Sequence, residues 1–474
     1  MTHVTIIGGG IAGLATAYYL QKKSREQSQE APIHYTLVDS EPCFGGKIVT
    51  ANEGDFVIEG GPDSFITQKP WGRQLCLDLG LAARLIPTND DRRNIYVLDK
   101  GKLVPFPGGY RLTVPTEFIP FALSPLISPL GKLRMGLDLV IPPRQDKSDE
   151  SLGSFIRRRL GQEALDKIGA PIMAGIYVAD PERLSIQSTF PMFVEMEREY
   201  GSLIKAMRAA RQHHAGGHRR NGKPPAMFNS LHGGMKELAE TLVDALEGDL
   251  RPNCRVMGLR YRSPGFEITF DSAGSLPLTT DAVVLAVPAY VAASLLSPIE
   301  PKLTGLLNQI RYVSTATISL GYRRVDLGAE QNLDGFGFII PKSENRQILA
   351  CTWSSTKFDH RSPVDRVLLR VFVGGDGAEH LVELPDDDLI ALARAEVAET
   401  MGITTTPVVQ KLFRWIKGNP QYDVGHLERV EQIETLATAI PGLYLTGSAF
   451  RGIGIPDCVK SALNTVEQIL DRAN

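Results

Sequence analysis

Cysteine is scarce and never closely paired. The five in 474 residues (Cys43, Cys76, Cys254, Cys351 and Cys458) stand far apart without a CxxC. That spacing excludes a disulfide framework or a zinc ribbon and suits a reducing compartment. Excess charge is missing too: 51 Lys and Arg face 54 Asp and Glu, for a net charge of -3. Nothing therefore marks a nucleic-acid surface, and no nucleic-acid partner is expected. No apolar run approaches the ~20 residues needed to cross a bilayer. The nine histidines are dispersed, apart from His213, His214 and His218, and no metal is expected. The opening stretch VTIIGGGIAGLATAYYL has neither the charged leader nor the cleavage site of a signal peptide, so it should be a folded element of a cytoplasmic protein. The rest of the composition, 43% hydrophobic and 22% charged, is that of a globular chain too long for one compact core.

Glycine is what the chain does have, and its placement carries the first functional signal. HVTIIGGGIAGLATAYYL reads as strand, turn and helix, with Gly8, Gly10 and Gly13 in GxGxxG spacing. The first glycine permits a tight turn, the second admits a pyrophosphate to the backbone, and the third lets the helix pack on the strand. The helix N-terminus beyond it offers free N–H groups and partial positive charge. HYTLVDS follows as a second strand ending in Asp39, whose carboxylate suits the hydroxyls of an adenosine ribose. Then comes CFGGK, with Gly45, Gly46 and Lys47. This resembles the GG-(R/K) motif of amine oxidase–like flavoenzymes and points to FAD rather than NAD. VIEGGPDSFIT reads as a strand entering a loop whose small residues, Gly60, Gly61 and Ser64, suit close passage by a flavin ring. Glu59 is read either as a solvated strand-end charge or as a cofactor-site group.

The remaining chain alternates in character. Residues 22–31 form a polar insertion. Residues 85–210 look mostly helical, and within them PTEFIPFALSPLISPLGKLRMGL is apolar and proline-broken. It reads as a buried helical hairpin, or else as a surface that meets a membrane or admits an oily substrate. RAARQHHAGGHRRNGKPP, 208–225, reads as a basic solvated loop. CRVMGLRYR, FEITF and DAVVLAVP read as strands, and residues 290–415 as an antiparallel sheet with a helix at 386–401. Near the end, GLYLTGSAFRGIGIPDCV repeats the pattern of strand, glycine turn and helix. The fold class expected is α/β. A discontinuous Rossmann-like FAD-binding domain (1–84, 225–290 and 415–474) would carry a mostly helical region (85–210) and an inserted α+β substrate domain (291–414). The two glycine turns would then serve opposite ends of one long cofactor, the second turning its N–H groups toward the flavin ring.

GPDSFITQK, SLGSFIRRRLGQEALDKIGAPIMAGIYVADPERLSIQSTFP, LHGGMKEL and GIGIPDC together resemble the bacterial protoporphyrinogen/coproporphyrinogen oxidases, most of all the Gram-positive coproporphyrinogen III type. The resemblance implies non-covalent FAD, a porphyrinogen substrate, O2 as acceptor, H2O2 as product and a role in heme biosynthesis. It implies FAD contacts from Gly8, Gly9, Gly10, Ile11, Ala12, Gly13, Asp39, Ser40, Lys47, Gly61, Pro62, Asp63, Ser64, Val256, Trp415, Ile453, Gly454 and Ile455. It implies substrate contacts from Lys69 and Arg111 as cations and from Ile339 and Phe358 as apolar walls. A wide apolar cavity with a few cations at its rim is what a carboxylate-bearing macrocycle requires. No catalytic base stands out. Protoporphyrinogen IX remains open as the main substrate. An amine oxidase of the same fold, and a porphyrin carrier without turnover, are the other readings; monoamine oxidases often tether FAD through a cysteine near this motif, but Cys458 resembles the porphyrinogen oxidase family's ordinary cysteine rather than a tether. Peripheral membrane contact and transient contact with neighbouring heme-pathway enzymes also follow from the resemblance.

Overall fold

The structure, a computed structural model, describes residues 3–26, 33–106, 110–111, 114–115, 124–216, 226–271, 276–328, 331 and 333–473. Its first layer is a parallel five-stranded sheet in the spatial order Asp249–Arg251, His34–Val38, His3–Ile7, Ala282–Leu285, Leu443–Leu445. These strands are short and, apart from the edge strand Asp249–Arg251, mostly apolar because both faces are covered. Val4, Ile6, Leu37 and Val284 are buried on one side with Leu14 and Ala15 of the helix Ile11–Glu26 and Val459, Ala462 and Val466 of the helix Ile455–Ala473. Ile7, Val38, Val283 and Leu285 face the other side. There they pack against an antiparallel sheet of Val256–Arg262, Gly265–Phe270 and Leu278–Thr280 and the helix Ala289–Leu296.

Sequence-distant strands meet in this sheet. The chain leaves it after Ala282–Leu285 and returns more than a hundred residues later as Leu443–Leu445, which pairs in parallel with Ala282–Leu285. Both glycine turns therefore stand at the carboxyl edge of one sheet, one strand apart. Ligands of open α/β sheets bind at that edge. The turns also approach each other directly, since a Cβ built on Gly447 would lie 3.7 Å from the Ala12 side chain.

The second layer is a seven-stranded sheet in the order Val409–Pro420, Tyr312–Arg323, Arg366–Gly374, Ala350–Trp353, Gly335–Ile339, Asn94–Asp99, Lys102–Pro105. Its pairs are antiparallel except Gly335–Ile339 with Asn94–Asp99. The helix Asp386–Met401 buries Leu389, Ala393 and Val397 against it. Two expected boundaries shift here. Residues 94–105, grouped with the helical region, are two strands of this sheet. Their turn uses Lys100 and Gly101, both at positive φ, the geometry that tight hairpins require. The boundary expected at 414/415 falls inside the strand Val409–Pro420.

The third body is helical. Leu152–Leu160, Ala170–Tyr177, Pro191–Tyr200 and Leu203–Gly216 enclose Phe155, Ile156, Met173, Leu184 and Phe193. The last of these helices runs through the first part of the expected basic loop. Residues 217–225 lie outside the described residues, as do 27–31 of the expected insertion. The expected buried hairpin is only partly so. The helix Pro129–Gly136 buries Met135, but Leu130 and Leu133 are 80% and 68% exposed. Residues 116–123 of that segment lie outside the described residues. Among the described residues, no helix is long and apolar enough to cross a membrane.

Candidate active site

The first turn is closed everywhere except where a cofactor must enter. Gly8 has φ +106°, and a Cβ there would meet the Ala286 carbonyl oxygen at 2.6 Å. A Cβ on Gly13 would sit 1.8 Å from the Gly8 carbonyl oxygen, and one on Gly9 would strike the Phe44 ring. A Cβ on Gly10 would meet nothing within 4 Å. That open face, at the start of the helix containing Ile11 and Ala12, is the one a pyrophosphate would approach. The GGK segment folds over the same turn. Gly45 N–H donates to the Gly9 carbonyl at 2.8 Å, and a Cβ on Gly46 would lie 3.0 Å from Gly10 Cα.

Asp39 does more than await a ribose. One carboxylate oxygen accepts from the Gly9 N–H at 2.5 Å and the other from the Glu41 N–H at 2.8 Å. Its backbone carbonyl accepts from Cys254 N–H at 2.7 Å, which brings the strand bearing Val256 beside it. Ser40 is exposed next to it. Lys47 turns inward, and its ammonium donates to the Gly418 carbonyl. Burial pushes its pKa down, because that carbonyl compensates less than a carboxylate would.

A charged seam joins the first and second layers. The Gly60 carbonyl accepts from Trp415 Nε1 (2.9 Å), from Arg370 (2.9 Å) and from the Thr317 hydroxyl (3.1 Å). Arg370 also donates to the Gly61 carbonyl at 2.6 Å. Asp63 binds Lys357 at 2.7 Å and accepts from the Ser64 hydroxyl at 2.7 Å. Burial would raise the Asp63 carboxyl, but Lys357 and Arg370 override it and hold it well below the usual carboxylate range. Glu59 accepts from Thr50 and from Met235 N–H and faces Arg361 at 3.5 Å. There burial prevails and pushes its pKa up. Of the two readings of Glu59, the solvated one fails, because the side chain is 3% exposed. These groups, with Phe358, enclose a cavity of about 10 Å³, one water in size. The seam is a buttress that fixes the 60–64 backbone, and no macrocycle enters it.

The second turn sits against apolar side chains of the other two bodies. Ile453 shares a cluster with Ile339, Ile172 and Tyr177. A Cβ on Gly175 would lie 3.9 Å from Ile339 Cγ2, so the AGIY corner closes on that strand. Ile455 points instead into the first-layer core. Gly454 and Gly452 lie beside Asp457: Cβ atoms built on them would be 3.3 Å and 2.4 Å from that side chain. Asp457 in turn holds Lys69, with both carboxylate oxygens 2.7 Å from the ammonium.

The proposed substrate residues thus separate. Lys69 comes to the second turn, and Ile339 packs against the same apolar cluster as Ile453 of that turn. Phe358 does not, being 1% exposed and packed under Arg361 and Lys357 in the seam. Arg111 pairs with Val114 on a short two-stranded ribbon, and its side chain lies outside the described residues. Two functional features escaped the sequence reading. Arg370 carried a signal, a lone charge within the apolar run VLLRVFVG. Asp457 carried none beyond its place in the first turn of a helix.

The residues present fit FAD at this edge: an open face at Gly10, a half-buried lysine at Lys47 and a second turn close to the first. The family described as flavin containing amine oxidoreductase matches residues 11–470. The coproporphyrinogen III oxidase of Bacillus subtilis (strain 168) is 36% identical over 99% of this chain and 98% of its own. The chloroplastic protoporphyrinogen oxidase 1 of Arabidopsis thaliana is 27% identical over 99% and 88%. A solved structure from Exiguobacterium sp. 255-15 superposes with a TM-score of 0.87 at 31% identity, covering 99% of both chains. The chain belongs to the flavin containing amine oxidoreductases, as a member of the protoporphyrinogen/coproporphyrinogen oxidase family, and its cofactor is FAD.

Proposed function

We propose that this protein oxidises coproporphyrinogen III to the porphyrin in heme biosynthesis, with O2 as acceptor and H2O2 as product. The observation that carries this reading is that Ile339, Tyr177 and Ile453 of the second glycine turn all pack against one apolar cluster, while the ammonium of Lys69, 47% exposed, is held by Asp457 beside that turn. An apolar wall with a cation at its edge suits a flat macrocycle with carboxylate arms. FAD supplies the hydride acceptor when bound.

The protein groups bind and orient; no strong base is asked of them. Burial pushes the Tyr177 hydroxyl pKa up strongly, and Asp457 is held by Lys69. The neutral phenol of Tyr177 offers no base, and the Asp457 carboxylate is engaged by the ammonium. Lys69 and Arg111 are proposed to receive substrate carboxylates, Lys69 by exchanging Asp457 for the incoming arm. Gly8–Gly13, Asp39, Ser40, Lys47, Gly61–Ser64, Val256, Trp415 and Ile453–Ile455 are proposed to line FAD. Phe358 would support this arrangement from within the seam.

A tethered flavin is disfavoured by one specific fact. Burial pushes the Cys458 thiol up to about 12, so the nucleophilic thiolate is scarce. The FAD is therefore proposed to be non-covalent; the free, scattered cysteines are the support for proposing a cytoplasmic protein. Turnover of coproporphyrinogen III and protoporphyrinogen IX, followed by porphyrin fluorescence and peroxide release, tests the reading. Faster coproporphyrin formation with stoichiometric peroxide supports it, and oxidation of neither overturns it.

A further inference from the structure

The loop Gln421–Gly425, between the strand Val409–Pro420 and the helix His426–Thr438, holds the second glycine turn from behind. The Tyr422 hydroxyl donates to the Ser448 carbonyl at 2.8 Å and accepts from the Gly452 N–H at 2.8 Å. His426 Nε2 faces the Phe450 carbonyl at 2.8 Å. A carbonyl only accepts, so this contact places the imidazole proton on Nε2. The two rings stack at 4.0 Å with 13° between their planes, and the residues are 1% and 0% exposed. Three residues of the turn, Ser448, Phe450 and Gly452, are thus fixed by one stacked pair. Among the described residues, Nδ1 of His426 has no hydrogen-bond partner.

The same loop is tied to the helical body. Ser185 N–H donates to the Tyr422 carbonyl at 2.8 Å, and Val424 N–H to the Arg183 carbonyl at 2.9 Å. Gln421 reaches the Tyr177 carbonyl at 3.2 Å. Arg311 grips Asp423 and Asp376 at about the same depth. The loop is therefore a rigid strut with the apolar wall on one side and the glycine turn on the other.

We propose that Tyr422 and His426 are positioning residues that set the second glycine turn against the flavin, and through it the affinity and reduction potential of bound FAD. The proposal rests on FAD lying along both turns. Its chemistry is that of a supporting shell: the turn must be held to within a fraction of an ångström for its N–H groups to favour charge on the ligand. A tyrosine bridging a donor and an acceptor does so from one atom. The stacked imidazole removes the freedom of that ring to swing.

The test compares Tyr422→Phe, His426→Leu and His426→Gln with the parent protein. Each is stripped of flavin and titrated with FAD, followed by flavin fluorescence, and the potential of the reconstituted protein is then measured. Tyr422→Phe removes one oxygen and keeps the stack. His426→Gln restores an N–H donor near the Nε2 position, and His426→Leu does not. The expected result is a tenfold or greater rise in the FAD dissociation constant for Tyr422→Phe and His426→Leu, with a shifted potential, and recovery to within about threefold in His426→Gln. Parent-like FAD affinity and potential in Tyr422→Phe, with only the melting temperature lowered, would overturn it and leave the pair a structural element. Failure of the parent itself to bind FAD would instead refute the flavin reading.

Discussion

Lys69 and Asp457 form a two-pronged ion pair, the ammonium lying 2.7 Å from each carboxylate oxygen. It joins the residue that opens the helix Pro70–Asp78 to the first turn of the helix Ile455–Ala473. Lys69 is 47% exposed and Asp457 15%. A pair this exposed adds only about 0–1 kcal/mol to stability. If Lys69 receives a substrate carboxylate as proposed, a porphyrinogen arm would have to compete with Asp457 for the same ammonium. We expect Lys69→Ala to raise KM for coproporphyrinogen roughly three- to tenfold at near-constant melting temperature, and Asp457→Asn to lower it. Steady-state kinetics on both variants decides the matter. Equal rises in KM would mean that the pair acts as a clamp and that Lys69 holds no substrate.

The first turn separates folding from cofactor binding at two glycines three residues apart. Gly13→Ala drives a methyl into the Gly8 carbonyl oxygen and should cost ~3 kcal/mol or more of stability, since backbone cannot yield as a side chain does. Gly10→Ala places its methyl in open space. The apoprotein should therefore melt near the parent temperature while FAD affinity falls at least tenfold. Calorimetry and FAD titration on the two apoproteins check this, and normal FAD affinity in Gly10→Ala would mean that no phosphate approaches that face.

Arg370 is 4% exposed and spans the seam to the Gly60 and Gly61 carbonyls. Arg370→Met leaves the Gly61 carbonyl without its guanidinium donor and Asp63 with Lys357 as its remaining close cation. The expected loss is ~3–5 kcal/mol of unfolding free energy, read from denaturant midpoints at unchanged m-value. A loss under about 1 kcal/mol would show that Lys357 and Arg361 carry the seam alone.

His426 gives a pH signature. Burial lowers its pKa from 6.5 to about 4, against the raising effect of the Phe450 carbonyl. The unfolded chain therefore binds a proton below its ordinary pKa while the folded protein refuses it. Stability contributed by neutral His426 is complete above pH ~6.5 and is lost as pH falls toward ~4. The stability difference between the parent and His426→Gln should narrow by roughly 3 kcal/mol across that window. A difference independent of pH there would place the imidazole in contact with water.

Much of this arrangement was legible in the sequence, and the illegible part has a common cause. Gly8, Gly10, Gly13 and the GGK segment declare themselves because each enforces a backbone geometry that other residues resist. The return of the chain at Leu443–Leu445 was readable for the same reason, through its glycine turn. The hairpin Asn94–Pro105 was not placed, although Lys100 and Gly101 mark its turn. Its parallel partner, Gly335–Ile339, lies far along the chain, and local pattern does not encode such pairing. Phe358 was read as a wall of the substrate site, since an apolar ring looks alike whether it lines a cavity or covers Arg361. Asp457 went unseen because its meaning lies in Lys69, a partner brought to it only by the fold.

The most direct measurement is the anaerobic mixing of FAD-loaded protein with coproporphyrinogen III, followed by flavin absorbance. The account predicts that the flavin bleaches and porphyrin appears together, faster than with protoporphyrinogen IX, and that admitting O2 restores the oxidised spectrum with release of H2O2. Flavin that stays oxidised with either porphyrinogen, yet is bleached by an amine, would contradict it.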